Sequence, residues 1–267
     1  MPTQPCTTPA EVTLGFSSLV ARVSNIRVPP EMADAEVLVI TQDPKGPDRV
    51  APIAAPDDSS WRTIALQSVG VAKSRNAAID NASRRYLLFA DDDISRQADG
   101  VVAAAAALAQ SGAAVALARA IDETGALRKN YPDGTRDLKL TNSAKAATYE
   151  MLVDVEQVRA AGVRFDERFG AGAPNYLGDE YIFIADCLRA GLRGLSVPYV
   201  VALHPTDSSG SRWSVDGDLS ARGKALERAW NSRATLAKAA FAWRNRRQFE
   251  SLRARVSFVA TRHFTGE

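Results

Sequence analysis

Cysteine and histidine are scarce in this sequence, with two residues of each among 267. Cys6 and Cys187 form neither the closely spaced pairs of a zinc site nor a disulfide framework. The scarcity of cysteine is typical of a protein kept in a reducing compartment. We therefore expect a cytoplasmic location.

Long apolar runs and targeting signals are also missing. No apolar stretch approaches the roughly 20 residues that a helix needs to cross a bilayer. Residues 1–10 lack a basic segment followed by an apolar one, so we predict a flexible N-terminus and no signal peptide. The composition, 46% hydrophobic and 24% charged, is that of a globular protein with a sizeable core.

Positive charge is concentrated near the C-terminus, although the net charge of the chain is only +2. The segment 221–262 contains eleven lysines or arginines and two glutamates, which leaves a net charge of −7 for the remainder. Helical spacing with interleaved aromatic residues indicates either contact with the inner face of a membrane or packing on the acidic remainder. No nucleic-acid-binding motif accompanies the charge. We divide the chain into a terminus (1–10), a main domain (11–214) and a basic helical segment (215–267).

Strand and helix patterns alternate along the main domain. The segments 11–16, 35–41 and 86–90 predict strands, and the segments 70–82 and 98–110 predict helices. Because strand–helix–strand order favours parallel strands, we predict an α/β fold with a mixed, mostly parallel central sheet flanked by helices.

Three aspartates directly follow the strand predicted at 86–90. On an extended backbone, Asp91 and Asp93 point to one side and Asp92 to the other. Open α/β sheets bind ligands at the carboxyl ends of their strands. Oxygen ligands there suit a hard cation such as Mg²⁺ or Mn²⁺, which could in turn hold a diphosphate. The alternative is that the aspartates only begin the next helix, where acidic residues are favourable.

The helix predicted at 70–82 carries Lys73, Arg75 and Asn76 in its first half. Cations near a helix N-terminus oppose the helix dipole, and a bound diphosphate would relieve that conflict. The alternative is a solvated basic face.

A glycine-rich stretch precedes a predicted amphipathic helix that begins with Asp179 and Glu180. One of these carboxylates is a candidate general base, since pairing two carboxylates raises the pKa of one toward neutrality. The alternative is charge complementarity at the helix N-terminus, worth about 0.3–1 kcal/mol.

Two further polar residues follow predicted strands. Asp43 either contacts a ligand or caps its own loop. His204 is either structural or a ligand of a metal or a phosphate. The serine- and glycine-rich segment 206–214 could close over a bound ligand as a lid.

Taken together, these stretches resemble a family 2 glycosyltransferase with a GT-A fold, over residues 12–212. Each stretch is short, but their order and separation match the family. They are Val12-Thr13-Leu14-Gly15-Phe16, Gly70-Val71-Ala72-Lys73-Ser74-Arg75-Asn76, Asp91-Asp92-Asp93, and Phe165-Asp166-Glu167-Arg168-Phe169-Gly170 followed by Asp179-Glu180 and His204.

The resemblance implies a donor site for a nucleotide sugar. Asp91 and Asp93 match the aspartate motif that binds the divalent cation, Mn²⁺ or Mg²⁺, and His204 matches a position that can complete the metal site. The nucleotide-sugar contacts implied are those of Asp43, Arg75, Asn76, Asp91 and Asp92.

The resemblance also implies that the acidic pair supplies the catalytic base. The family's common order is Glu then Asp, whereas this chain has Asp179 then Glu180. We favour Glu180 by position and keep Asp179 by residue type.

The implied reaction is an inverting transfer from a nucleoside-diphosphate sugar, with UDP favoured, to a hydroxyl of a glycan, lipid-linked or other acceptor, as in polysaccharide biosynthesis. Two alternatives stay open. One is a sugar-nucleotide nucleotidyltransferase, although no glycine-rich phosphate loop follows the first strand. The other is a non-catalytic nucleotide- or sugar-binding scaffold.

Overall fold

The computed structural model describes residues 8–43, 61–204 and 218–264. Within these ranges the chain forms nine β-strands and seven α-helices. The strands are β1 (Val12–Leu19), β2 (Glu36–Gln42), β3 (Arg62–Leu66), β4 (Tyr86–Asp91), β5 (Ser95–Arg96), β6 (Val115–Ile121), β7 (Arg136–Asp137), β8 (Met151–Asp154) and β9 (Gly194–Leu203). The helices are α1 (Val71–Asn81), α2 (Ala98–Ser111), α3 (Val155–Ala160), α4 (Asp179–Arg189), α5 (Asp218–Trp230), α6 (Ala234–Arg244) and α7 (Leu252–Ala260).

The strands form one mixed sheet in the order β3-β2-β1-β4-β8-β6-β9-β5, and β7 pairs with β9. The longest pairings, β1 with β2 and β4, β2 with β3, and β6 with β9, are parallel. The short strand β8 runs antiparallel between β4 and β6. Strands β1, β2, β3, β4, β6 and β9 therefore point the same way, and their carboxyl ends share one edge of the sheet.

Helices cover both faces of the sheet, which confirms the predicted α/β class. On one face α2 packs over a cluster that includes Phe16, Leu88 and Val101. On the other face α1, α3 and α4 pack over a cluster that includes Ile79, Phe89 and Phe183. Strand β4 contributes to both clusters, so its side chains are buried on both sides, as its continuous apolar run indicates.

The C-terminal helices pack against the main domain through a third apolar cluster. Phe169 and residues of α4 contact α5, α6 and α7 there. The guanidinium of Arg228 on α5 pairs with Asp166 at 2.8 Å and with Asp186 at 2.9 Å. The boundary predicted at residue 215 stays a prediction, but the helices beyond it are docked on the acidic part of the chain.

In the described part of the chain, none of the helices is both long enough and apolar enough to cross a membrane. The predicted lid, 206–214, lies wholly in a range that the structure does not describe, and the first seven residues also lie outside the described ranges.

Candidate active site

The predicted ligand residues lie along one edge of the sheet. Asp43 directly follows β2, Asp91 ends β4, and His204 directly follows β9. These strands all point the same way, so the three residues share the edge at which α/β sheets bind ligands.

The three aspartates do not alternate as the extended backbone would have placed them. Strand β4 ends at Asp91, and Asp92 and Asp93 form a turn. The Asp92 carboxylate is buried, accepts a hydrogen bond from Ser18 Oγ at 2.6 Å and pairs with Arg22 at 2.5 Å. The same Arg22 nitrogen lies 3.1 Å from Asp93. The expectation that Asp92 and Asp93 face opposite sides is therefore wrong, because a turn has no strand periodicity.

Asp91 is in a different electrostatic environment from the other two aspartates. Burial raises the pKa of its carboxyl, while the nearby cations Arg75 and Arg96 act in the opposite direction. Asp91 and two cations, Arg75 and Arg96, therefore interact electrostatically at the ligand-binding edge of the sheet.

The acidic pair at the start of α4 is held by Arg75 of α1. The guanidinium of Arg75 pairs with the Asp179 carboxylate and lies 3.9 Å from Glu180 Oε1. Thr148 Oγ1 donates a hydrogen bond to Glu180 Oε1 at 2.9 Å. The Asp179 side chain is 4% exposed and that of Glu180 is 23% exposed. Of the pair, Glu180 is the one that solvent or a substrate can reach.

The two carboxylates have opposite pKa shifts. Burial and the adjacent Glu180 charge raise the pKa of Asp179 to about 7, against the effect of Arg75. Burial opposes ionisation of Glu180 too, but Arg75 and the hydrogen bond from Thr148 bring its pKa below the usual value. The pair therefore contains one carboxylate that is ionised at neutral pH and one that titrates near it.

An aromatic cluster fixes the start of α4 relative to the end of β4. The rings of Phe165 and Phe183 stack with centroids 4.2 Å apart, and Phe89 meets Phe165 edge-on at 5.3 Å. The guanidinium of Arg75 lies over the Phe165 ring at 5.6 Å. Because Phe89 is on β4 and Phe183 is on α4, this packing sets the spacing between the aspartates and the acidic pair.

Asn76 positions the same segment. Its amide oxygen accepts from the Phe165 backbone N–H at 2.8 Å, and its amide nitrogen donates to the Phe165 carbonyl at 3.0 Å. Both ends of the amide thus hold the backbone that leads to α4. The structure gives Asn76 a positioning role, and direct donor contact by this residue stays a prediction.

Position 170 requires glycine because its backbone lies close to the Asp179 side chain. Its φ is +97°, and a Cβ built there would lie 2.8 Å from Asp179 Cγ and 2.8 Å from Val71 Cγ2. Only glycine fits this left-handed backbone beside a buried carboxylate.

Arg96 is a site residue that the sequence did not reveal. It is 4% exposed, and its Nη1 donates to the Tyr149 carbonyl at 2.9 Å. Among the described residues its buried Nε and Nη2 have no hydrogen-bond partner. Burial lowers the pKa of Arg96 to about 10, while Asp91 and Asp93 favour its charged form. Buried polar groups are normally hydrogen-bonded, so a buried guanidinium with two unsatisfied nitrogens near the aspartates is a candidate for binding an anion.

A second group of missed residues surrounds Glu150, directly before β8. The carboxylate is buried, and burial raises its pKa. Lys129 Nζ donates to it at 2.9 Å and Tyr131 OH at 2.6 Å. Because Lys129 and Tyr131 belong to the segment 121–134, Glu150 holds that segment to β8, the strand next to β4. The negative charge of Glu180 also raises the pKa of Glu150.

The residues present fit a divalent cation only as a partial ligand set. Within the described ranges, no three His, Cys, Asp or Glu side chains are grouped as metal ligands. The His204 ring packs on Tyr149, with ring centroids 4.8 Å apart. Asp91 and Asp93 remain as two carboxylates, and Mg²⁺ is commonly held by one or two carboxylates together with substrate phosphates and water. The donor set therefore fits a cation that arrives with a diphosphate.

No protein-family model matches the sequence, and no curated protein matches it either. Solved structures do match. A fragment of S. aureus TarS in complex with UDP aligns with a TM-score of 0.57 and 13% identity, over 94% of this chain and 75% of that one. The fragment in complex with UDP-GlcNAc aligns with a TM-score of 0.53 and 12% identity, over 86% and 71%.

A longer TarS chain aligns with a TM-score of 0.53 and 13% identity over 86% of this chain. The present chain spans only 42% of the length of that TarS chain. These likenesses define the architecture as the GT-A glycosyltransferase fold, as the resemblance predicted. At 12–13% identity they establish the fold alone.

Proposed function

We propose that this chain is a glycosyltransferase that takes a sugar from a nucleoside-diphosphate sugar, with UDP the favoured nucleotide, and transfers it to an acceptor hydroxyl. One observation carries the proposal. The acidic pair of α4 is held by Arg75 close to Asp91, at the ligand-binding edge of a GT-A sheet. The likeness to TarS complexes with UDP and UDP-GlcNAc supports the same nucleotide here.

Glu180 is the proposed base, because it is ionised at neutral pH and more accessible than Asp179. It accepts the proton of the acceptor hydroxyl while that oxygen bonds to the anomeric carbon. The bond from the anomeric carbon to the diphosphate oxygen breaks, and the nucleoside diphosphate leaves with the bonding electrons. Attack in line with the departing group inverts the anomeric configuration. Asp179 keeps Arg75 in place.

The leaving nucleoside diphosphate is an anion, and two arginines of the site can stabilise its negative charge. Arg75 and the unsatisfied nitrogens of Arg96 lie near Asp91 and stabilise the departing charge. We propose that Asp91 and Asp93 hold Mn²⁺ or Mg²⁺, which when bound would neutralise the diphosphate. Contacts of His204 with that cation, and of Asp43 and Asp92 with the nucleotide sugar, are part of the same proposal.

We also propose the acceptor class as a hydroxyl of a glycan or of a lipid-linked molecule. The segments 121–134 and 165–177 border the site and would determine which acceptor binds. The first segment is held in place by the hydrogen bonds of Lys129 and Tyr131 to Glu150. Contact of the basic C-terminal segment with a membrane is a separate proposal and depends on a different surface.

The test is release of UDP from a panel of UDP-sugars in the presence of glycan acceptors. Glu180→Gln should lower kcat by about 10²–10⁴-fold, because the variant keeps the side chain's size but cannot take a proton, while the KM for the donor changes little. Glu156→Gln is the matched control, since Glu156 is an exposed glutamate in the first turn of α3.

Full turnover in Glu180→Gln would remove the catalytic assignment. A nucleotidyltransferase would join UTP to a sugar 1-phosphate and release pyrophosphate, so pyrophosphate release in a parallel assay with those two substrates would favour that alternative. No turnover with any donor would favour a binding scaffold.

A further inference from the structure

The large apolar side chains most exposed to solvent, within the described ranges, all belong to two C-terminal helices. They are Leu236 (72%), Trp243 (69%), Leu252 (66%) and Val256 (60%). Two phenylalanines of the same basic segment are not exposed in this way, because Phe249 and Phe258 are buried in the third cluster. Packing on the main domain thus accounts for those aromatic residues but leaves this second apolar set uncovered.

Each exposed pair shares one face of its helix. Leu236 and Trp243 are seven residues apart, which is two turns of α6, and Leu252 and Val256 are four apart on α7. The opposite faces of the two helices pack against the rest of the protein, since Ala237 and Ala242 of α6 and Phe258 of α7 lie in the third cluster. A surface helix normally has one apolar stripe. Helices α6 and α7 have two, and the outer ones face solvent.

Cations surround this outer face. Between residues 231 and 264 the sequence has seven arginines and one lysine, against a single glutamate, Glu250. The lysine, Lys238, is buried and paired with Glu227, whereas Arg244, Arg246 and Arg247 are exposed. The guanidinium of Arg246 lies 5.7 Å from the centre of the Trp243 ring, so cation and aromatic ring are adjacent.

We propose that the outer face of α6 and α7 docks on a membrane surface rich in anionic phospholipid. Leucine, valine and tryptophan would enter the headgroup boundary, and the arginines would meet the lipid phosphates. Tryptophan is enriched at that boundary because its ring is apolar with one polar N–H. A symmetric dimer through the same face fits less well, since it would set the arginines of one copy against those of the other.

The test is sedimentation of the full chain with vesicles of phosphatidylcholine alone or mixed with phosphatidylglycerol. We expect binding to the anionic vesicles only, and its loss when NaCl is raised from about 0.05 M to about 0.5 M. The double variant Trp243→Ser, Leu252→Ser should weaken partitioning about tenfold or more, because two apolar side chains no longer leave water. Leu127→Ser removes an exposed leucine elsewhere and should bind as the parent does.

The charge is tested in the same way. Arg246→Gln with Arg247→Gln should reduce binding, and Arg84→Gln with Arg136→Gln, an equal loss of charge away from the C-terminal helices, should not. Equal sedimentation with both vesicle types, or equal binding by all variants, would overturn the proposal. A concentration-dependent dimer in lipid-free centrifugation that the Trp243→Ser, Leu252→Ser variant abolishes would assign the face to a second copy instead. UDP binding should be unchanged in the Trp243→Ser, Leu252→Ser variant and in the Arg246→Gln, Arg247→Gln variant, which separates this proposal from the catalytic one.

Discussion

At the residue scale, the site combines one buried carboxylate, Asp179, and one partly exposed carboxylate, Glu180, with one shared arginine. Asp179 and Glu180 are adjacent in sequence, yet Arg75 and Thr148 give them different roles. Their presence in the first turn of a helix could be read from the sequence. Their opposite pKa shifts could not, because those depend on an arginine 104 residues away from Asp179 along the chain.

The pKa of Asp179 predicts a pH dependence. Burial and Glu180 raise that pKa to about 7, so Asp179 is protonated below neutral pH and then loses its charge attraction for Arg75. We expect kcat/KM to fall as pH drops through about 7 and to level off above it. A pH profile of UDP release measures this limb. In Asp179→Asn the limb should be absent at a lower overall rate, and its persistence near 7 would assign it to another group.

We expect Arg96 to lower the free energy of unfolding while it strengthens the binding of UDP. A buried cation with unsatisfied nitrogens is costly, so Arg96→Met, which keeps a long apolar stem, should raise the free energy of unfolding by about 1–4 kcal/mol. UDP should bind about tenfold or more weakly, because a charge-assisted contact to phosphate is lost. Denaturant unfolding and calorimetry give the two quantities.

Arg136→Met is the control for Arg96, because Arg136 is exposed and should change stability by no more than about 0.5 kcal/mol. If Arg96→Met instead destabilised the chain and left UDP binding intact, Arg96 would be a structural support for Tyr149. No sequence pattern marks this residue, since it lies in a two-residue strand whose burial no periodicity encodes.

At the scale of elements, the site depends on how the loop before α4 meets α1. The Ala171 carbonyl accepts from the Val71 N–H at 3.0 Å, and the Phe165–Phe183 stack holds the loop to α4.

The long apolar and amphipathic segments of the main domain were predictable from the sequence. Strand β1 was predicted too short, because Ser17 and Ser18 suggest a turn, whereas the Ser18 hydroxyl is satisfied inside the strand by Asp92.

Gly170→Ala tests that loop. The added Cβ would meet Asp179 Cγ at 2.8 Å, so we expect the Asp179–Arg75 pair to be displaced and kcat to fall at least about tenfold. Gly191→Ala is the matched control, because Gly191 also has a positive φ, +81°, but no atom within 4 Å of its built Cβ. Both variants should lose about 1 kcal/mol of stability to backbone strain. Equal kcat in the two variants would show that the contact with Asp179 does not matter for turnover.

At the scale of the whole molecule, an acidic α/β domain and a basic helical segment form one body. The sequence predicted the sheet class and the charge asymmetry, because both are carried by local composition and periodicity. It left open whether the basic segment docks on the core. The ion pairs of Arg228 and the third apolar cluster decide that point, and they join residues distant in sequence.

The central claim is a nucleotide-sugar site at the sheet edge, and calorimetric titration of UDP with and without Mn²⁺ tests it most directly. We predict binding that strengthens with Mn²⁺ and is lost in Asp91→Asn and Asp93→Asn, with GDP binding more weakly. The matched control is Asp99→Asn, an exposed aspartate in the first turn of α2. Absence of UDP binding with Mn²⁺ present, or binding that both aspartate variants retain in full, would contradict the account.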